Sequence, residues 1–421
     1  MNYAETIDYL YNSTPMFHKV GSAAYKEGLE NTYALDEHFG FPHSNYLTIH
    51  VGGTNGKGSC SSMIASYLQT LGYQVGLYTS PHLFDFRERI RVNGEMIPEQ
   101  EVVDFVENHR SFFEPLQPSF FELTTALAFK YFEKAGVDIA VVEVGLGGKL
   151  DCTNIIHPIL SIITNISLDH TALLGKTLSE IAKQKSGIIK RHTPAVIGET
   201  TPDTQPVFAA VASQFEAGIY YAEQETSMAE VKDYFDVCEF KGNYQKLNIR
   251  TVLTAIKLFD EIGLRTDFEK FKISLQNIYK NTGLMGRWQI VSDSPKTIVD
   301  TGHNEAGWQY VSKMLADTQK ECRENGGSLR IVFGMVDDKD VDTVMQMLPK
   351  YAVYYFTQAQ SHRAIPFQKI VEKGEVIGLK GKGFATSNEA YKAAQKDASE
   401  RDVIFIGGSN YIIGDISELK A

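Results

Sequence analysis

The chain has 421 residues, 43% of them hydrophobic, enough for two or three domains with sizeable cores. A net charge of −11 argues against a general nucleic-acid or anionic-membrane binder, since both need a basic face. The cysteines (Cys60, Cys152, Cys238, Cys322) stand far apart with no CxxC pair, which fits reduced thiols and offers no zinc or disulfide framework.

Met1 to Asp8 is acidic and amphipathic, unlike a signal peptide. No apolar run reaches the length of about 18 residues that a membrane span needs, so a cytoplasmic location is expected. Leu47–Val51 reads as a buried strand and leads into a glycine-rich turn. Cys60, Met63, Ile64, Tyr67, Leu68 and Leu71 then recur at helical spacing until Gly72 closes the helix. Val75–Thr79 is the next strand. Asp138–Val144 and Ile159–Asn165 are two more, apolar on both faces as parallel strands should be. Thr200 to Phe235 is polar and irregular, and reads as a peripheral excursion. After the turn-rich Ser292–Pro295, a second series of strands follows at Thr297–Val299, Leu329–Phe333, Val353–Thr357 and Val403–Ile406. The alternation is an α/β signature. It predicts a larger P-loop domain over residues 1–293 with a parallel-rich sheet, then a smaller Rossmann-like domain over 294–421.

Chemistry concentrates at the ends of these strands. Gly53-Thr-Asn-Gly-Lys-Gly-Ser59 lies between a strand and a helix, where backbone amides and the helix N-terminus favour phosphate. Asn55, Gly56, Lys57, Gly58 and Ser59 are the expected nucleotide contacts, with Lys57 on the β/γ-phosphates and the Ser59 hydroxyl near a metal. The spacing departs from GxxxxGK[ST] because Gly58 separates the lysine from the serine. Glu143 ends an apolar strand before a glycine-rich turn, and a buried carboxylate there must coordinate or pair, although a helix-capping acid is the plain alternative. His170 beside Asp169 is, taken alone, more often structural than a ligand. Lys185, near Lys183 and Lys190, reads by itself as a solvated cation. Phe121-Glu-Leu-Thr-Thr125 sets an aromatic beside polar groups, suiting a flat heterocycle or a core. Arg87, Arg89 and Arg91 could meet an anionic tail or simply line a strand.

Taken in order, a set of motifs resembles the folylpolyglutamate synthase/dihydrofolate synthase family, a branch of the Mur ligases. They are His50–Ser59, Tyr78–Leu83, Phe86–Ile90, Phe121–Thr125, Val142–Gly148 with Leu150, Asp151, Thr153 and Asn154, Ile163–His170 and Ile181–Ile188. Later echoes are Tyr244, Gln245, Asn248, Gly286, Arg287, Asp300–Asn304, Lys339 and Asp340. The resemblance implies an ATP- and Mg²⁺-dependent ligase that adds L-glutamate to dihydropteroate, to the glutamate tail of a tetrahydrofolate, or to both. It further implies a monomer with small-molecule partners only. Ser80, Glu143 and His170 would be magnesium ligands, and a carbamylated Lys185 would help to hold a second ion. Asn248 would lie on the adenine side, Arg287 near the phosphates, Asp300 toward the ribose and His303 toward the γ-phosphate. Lys57, Lys185 and His303 would carry the catalytic roles, and domain closure would bring Asp300 and His303 onto the nucleotide. Glu122, Leu123, Thr124, Thr125 and Leu150 would lie along the pteroate pocket. Two stretches depart from the family pattern. Gln184-Lys185-Ser186 replaces Glu-Lys-Ala, and Thr301, Gly302 and Glu305 alter the usual Asp-Gly-Ala-His-Asn-Pro. The rival readings are another Mur-type ligase, a P-loop kinase and a nucleotide-gated binding module. The first is disfavoured because the phosphate loop begins by residue 53, leaving no room ahead of it for a uridine-nucleotide domain.

Overall fold

A computed structural model describes residues 1–13, 28–336 and 340–420. The chain divides into two units, Met1–Glu239 with Gln245–Leu284, and Phe240–Tyr244 with Met285–Ala421.

In the first unit the strands are β1 (Leu47–Gly52), β2 (Val75–Tyr78), β3 (Ile90–Val92), β4 (Glu95–Met96), β5 (Ile139–Glu143), β6 (Leu160–Ile163), β7 (Ala195–Ile197) and β8 (Ile219–Tyr221). They form one sheet in the order β4-β3-β2-β5-β1-β6-β7-β8. All neighbours pair in parallel except β2–β3 and β3–β4. Every residue of β2, β5 and β6 is buried, the expected outcome for strands covered by helices on both faces. Helix α1 (Lys57–Leu71) follows β1 and is buried almost all round, from Gly58 to Leu68. Such a helix belongs at the centre of a layered fold. It stops at Gly72, whose φ of 96° is a left-handed cap that glycine adopts without strain.

Residues 200–235 are not a peripheral excursion. They hold three helices, Gln205–Gln214, Ala222–Glu225 and Met228–Val237, and strand β8 after the first of them, which extends the sheet by pairing with β7.

The second unit carries β9 (Gln289–Asp293), β10 (Lys296–Asp300), β11 (Leu329–Phe333), β12 (Val353–Phe356), β13 (Lys380–Gly383) and β14 (Val403–Gly407) in the order β13-β12-β11-β14-β10-β9. Here β9 is antiparallel to β10. The boundary expected at residue 293 therefore falls too late: β9 needs β10 for its backbone hydrogen bonds, and the division lies at Leu284/Met285. Trp308 sits fully buried in this unit's core, edge-on to Phe333 and Phe405, and its Nε1 donates to Gly302 O at 3.0 Å. Trp308→Ala is expected to destabilise this unit by about 3–5 kcal/mol, read as a lowered midpoint in urea unfolding. A loss below about 1 kcal/mol would mean that the core collapses around the gap.

Candidate active site

The phosphate loop leaves β1 and enters α1 with its backbone fixed from two sides. Gly53 and Gly56 take φ values of 134° and 87°, conformations that side chains resist. A Cβ at Gly53 would also collide with Thr164 Oγ1, and one at Gly56 with Asn248 Oδ1. Lys57 opens α1, and its Nζ donates to Thr54 O at 3.1 Å. Ser59 is buried and accepts at Oγ from Gln245 Nε2 (3.2 Å), while Gln245 Oε1 accepts from Asn248 Nδ2 (2.7 Å). Gln245 and Asn248 stand three apart on helix α2 (Gln245–Lys257), so one face of that helix serves the loop. The Gln245 amide on Ser59 is a contact that sequence reasoning did not assign.

Glu143 ends β5 only 4% exposed, and its Oε2 accepts from the Ser80 amide at 3.1 Å. Ser80 follows β2, the neighbour of β5. The structure thus brings these two expected metal ligands together. His170 follows β6 at a φ of 49°, with Asp169 Oδ1 accepting from its amide at 2.9 Å and lying 3.8 Å from its Nε2. Hydroxyl and carboxylate oxygens with an imidazole form a donor set that fits a hard cation such as Mg²⁺. Among the described residues no group of three or more His, Cys, Asp and Glu is arranged to hold a metal ion.

Lys185 is not a solvated cation. It is 5% exposed, and its Nζ donates to Gly53 O, at the start of the phosphate loop, at 2.7 Å. Burial, reinforced by the charge of Lys57, pulls its amine down to about 7. Lys149 N donates to Gln184 O at 2.8 Å, and a Cβ on Gly148 would press on the Lys185 backbone. The glycine turn after Glu143 and the end of the Lys185 helix are therefore stitched together. Asp151 braces that turn by accepting from Leu146 N (2.7 Å) and Thr153 N (3.0 Å). Burial pushes its carboxyl up, against the pull of these donors.

Four of the expected pteroate residues lie at the start of the helix Phe120–Ala135. Glu122 closes a capping box with Ser119, its Oε2 accepting from Ser119 N at 2.6 Å. Leu123 is in the hydrophobic core, Thr124 Oγ1 donates to Phe120 O (2.7 Å), and Thr125 Oγ1 meets Tyr78 OH (3.1 Å). All four are almost fully buried, and their described contacts are helix capping and packing. Phe121 and Leu150 remain partly exposed. Phe121 stacks on Tyr78, and its ring lies where a Cβ on Gly145 would be.

The three arginines are committed within the fold. Arg87 pairs with Asp85 at 2.7 Å, buried Arg89 donates from Nε to His82 Nδ1 at 2.7 Å, and Arg91 donates to Gly94 O at 2.8 Å. In the second unit Arg287 donates to Thr301 Oγ1 and to Gly286 O (3.2 Å). His303 Nδ1 is 3.1 Å from Thr301 O. Asp300, the expected ribose contact, is buried and engaged within its own unit. Its Oδ2 accepts from Tyr244 OH (2.7 Å) and Trp288 N (2.9 Å), and its Oδ1 from Gly302 N (2.7 Å). Oδ1 braces the turn before His303, while Oδ2 ties it to Tyr244 and Trp288. Lys339 lies outside the described residues. Among the described residues no helix is long and apolar enough to cross a membrane.

Residues 51–263 match the Mur ligase middle domain and residues 286–410 the Mur ligase glutamate ligase domain. A dihydrofolate synthase/folylpolyglutamate synthase of Buchnera aphidicola (subsp. Schizaphis graminum) is 33% identical over 88% of this chain and 87% of its own length. A probable bifunctional folylpolyglutamate synthase/dihydropteroate synthase of Haloferax volcanii is 30% identical over 99% of this chain, which spans 50% of that relative's length. The structure of E. coli FolC in complex with DHPP and ADP superimposes with a TM-score of 0.83 at 28% identity, covering 100% of this chain and 97% of that one. The Yersinia pestis folylpolyglutamate synthase/dihydrofolate synthase complexed with AMPPNP and Mn gives 0.81 at 27% identity, over 98% and 97% of the two chains.

Proposed function

We propose that this chain, which belongs to the folylpolyglutamate synthase/dihydrofolate synthase family of Mur ligases and is an ATP-dependent ligase, joins L-glutamate both to dihydropteroate and to the glutamate tail of a reduced folate. The observation that carries the reading furthest is the placement of Lys185, buried with its Nζ 2.7 Å from Gly53 O of the phosphate loop.

In the proposed reaction a carboxylate oxygen of the pteroate or folate attacks the γ-phosphorus of ATP, and the bond to the β-phosphate oxygen breaks to release ADP. The glutamate amine, having lost a proton, attacks the acyl phosphate carbonyl. The tetrahedral intermediate then expels phosphate and leaves the amide. Little covalent chemistry falls to the protein, so its residues act by position and charge. The α1 N-terminus and Lys57 hold the phosphates, with Ser59 kept in place by Gln245. Ser80, Glu143, His170 and a carbamylated Lys185 would hold two Mg²⁺ ions. Bound there, the metal supplies positive charge to the triphosphate oxygens. Asn248 is assigned to the adenine side, Arg287 and His303 to the phosphates, and Phe121 with Leu150 to the pterin. We take the chain to work as a monomer in the cytoplasm without nucleic-acid partners, in keeping with its net charge of −11.

Phosphate release with Mg-ATP is expected to require glutamate together with dihydropteroate or tetrahydrofolate, and to vanish in Glu143→Ala. Release indifferent to glutamate, or none with either pterin, would overturn the ligase reading in favour of a kinase or a binding module.

A further inference from the structure

Asn165, just past the end of β6, holds the phosphate loop by two consecutive amides. Thr54 N donates to its backbone oxygen at 2.9 Å and Asn55 N to its Oδ1 at 3.0 Å. The neighbours of Asn165 reinforce the grip. Thr164 Oγ1 donates to Asn55 O at 2.6 Å, and Ser167 N donates to Thr54 Oγ1 at 3.0 Å. On its other side Asn165 Nδ2 donates to Glu199 Oε1 at 3.3 Å, while Glu199 N donates to Thr164 O at 3.0 Å. Arg250 and Glu223, paired at 3.5 Å, are the other charged groups acting on Glu199.

Two consequences follow from the geometry. The amides of Thr54 and Asn55 are occupied, so the phosphate cradle falls to the amides from Gly56 to Ser59 at the α1 N-terminus. The Thr54 carbonyl that receives Lys57 Nζ at 3.1 Å is set by the same brace. Accepting the reading of Gly53–Ser59 as a nucleotide site, we propose that Asn165 is a positioning residue for ATP, which locks the first half of the phosphate loop and is itself oriented by Glu199.

The test uses the full chain and three variants: Asn165→Leu, Asn165→Asp, and Asn165→Asp combined with Glu199→Gln. Titration calorimetry with ADP is expected to show about tenfold weaker binding for Asn165→Leu, the weight of one buried hydrogen bond left unmade. The KM for glutamate and kcat should change by less than about twofold, with the melting temperature lowered by no more than a few degrees. Asn165→Asp keeps an acceptor for the Asn55 amide but sets a second carboxylate against Glu199, so it too should weaken ADP. The double variant reverses the donor and acceptor across that contact and is expected to restore ADP binding to within about twofold of the parent chain. The proposal is overturned if Asn165→Leu binds ADP as the parent does, if all its kinetic constants fall together with the melting temperature, or if the double variant is no better than Asn165→Asp. Failure of the unmodified chain to bind ADP is a different result, and would remove the nucleotide reading itself.

Discussion

Replacing Lys185 by alanine is expected to lower kcat by about 100-fold or more, with partial recovery when a small carboxylic acid such as formate is added. The reason lies in what the buried amine can become. Its Nζ sits against Gly53 O in a site that is 5% exposed, where burial and the charge of Lys57 bring the amine down to about 7. A neutral amine adds to CO₂, forming an N–C bond and releasing a proton, and so turns a cation into a carboxylate. That product can ligate a metal, whereas the ammonium would repel one. The direction with pH follows from the lowered value: the neutral fraction rises as pH climbs through about 7. Activation of CO₂-depleted enzyme by bicarbonate should therefore be more complete at a mildly alkaline pH than at a mildly acidic one. Formate would recover activity in the alanine variant by occupying the space of the missing carboxylate. Full activity without CO₂, together with electron density for a bare lysine, would dispose of the carbamate. An alanine variant as active as the parent would dispose of any role for the side chain.

Burial of this lysine could not be read from its neighbours, because a stretch carrying Lys183, Lys185 and Lys190 has the composition of a solvated face. The central strands were legible for the opposite reason. β2, β5 and β6 are apolar on both faces, and few other elements carry so strong a pattern. Strand β8 is only half-buried and β9 alternates weakly, so composition hid one inside an apparent excursion and left the other on the wrong side of the domain boundary. The placement of the loop glycines, Lys57 and Glu143 at a strand end, a turn and a helix start was legible because those elements are strongly patterned. Glu122 shows the reverse case. Ser119-Phe-Phe-Glu122 has the S-x-x-E spacing of a capping box, a local signal for the contact the carboxylate makes that was passed over in favour of the family pattern. Asn165 stood inside the Ile163–His170 motif, but nothing local marked its contact with the phosphate loop, because that contact is made to two backbone amides more than a hundred residues earlier in the chain.

Lys57→Ala is expected to lower kcat/KM for ATP by about 100- to 1,000-fold, the cost of removing one preorganised charge from a developing phosphoryl transition state. Lys57 is the first residue of α1, and its Nζ rests 3.1 Å from Thr54 O, so a turn about its own side-chain bonds is enough to exchange that carbonyl for a phosphate oxygen. Lys57→Arg should not restore the rate, because a planar fork replaces a compact ammonium beside a loop whose backbone is already fixed. A second effect separates this residue from an ordinary phosphate contact. Its charge is one of the two leading causes of the low Lys185 value, after burial. Removing that charge raises the Lys185 amine, shrinks its neutral fraction near pH 7, and makes carbamate formation harder. The alanine variant should therefore need more bicarbonate for half-maximal activity than the parent chain, while an Asn165→Leu variant, which leaves both lysines in place, should not. Measured side by side, a Lys57→Ala variant within about threefold of the parent in kcat/KM would show that the loop binds nucleotide without its lysine. An unchanged bicarbonate requirement would uncouple the two lysines despite their proximity.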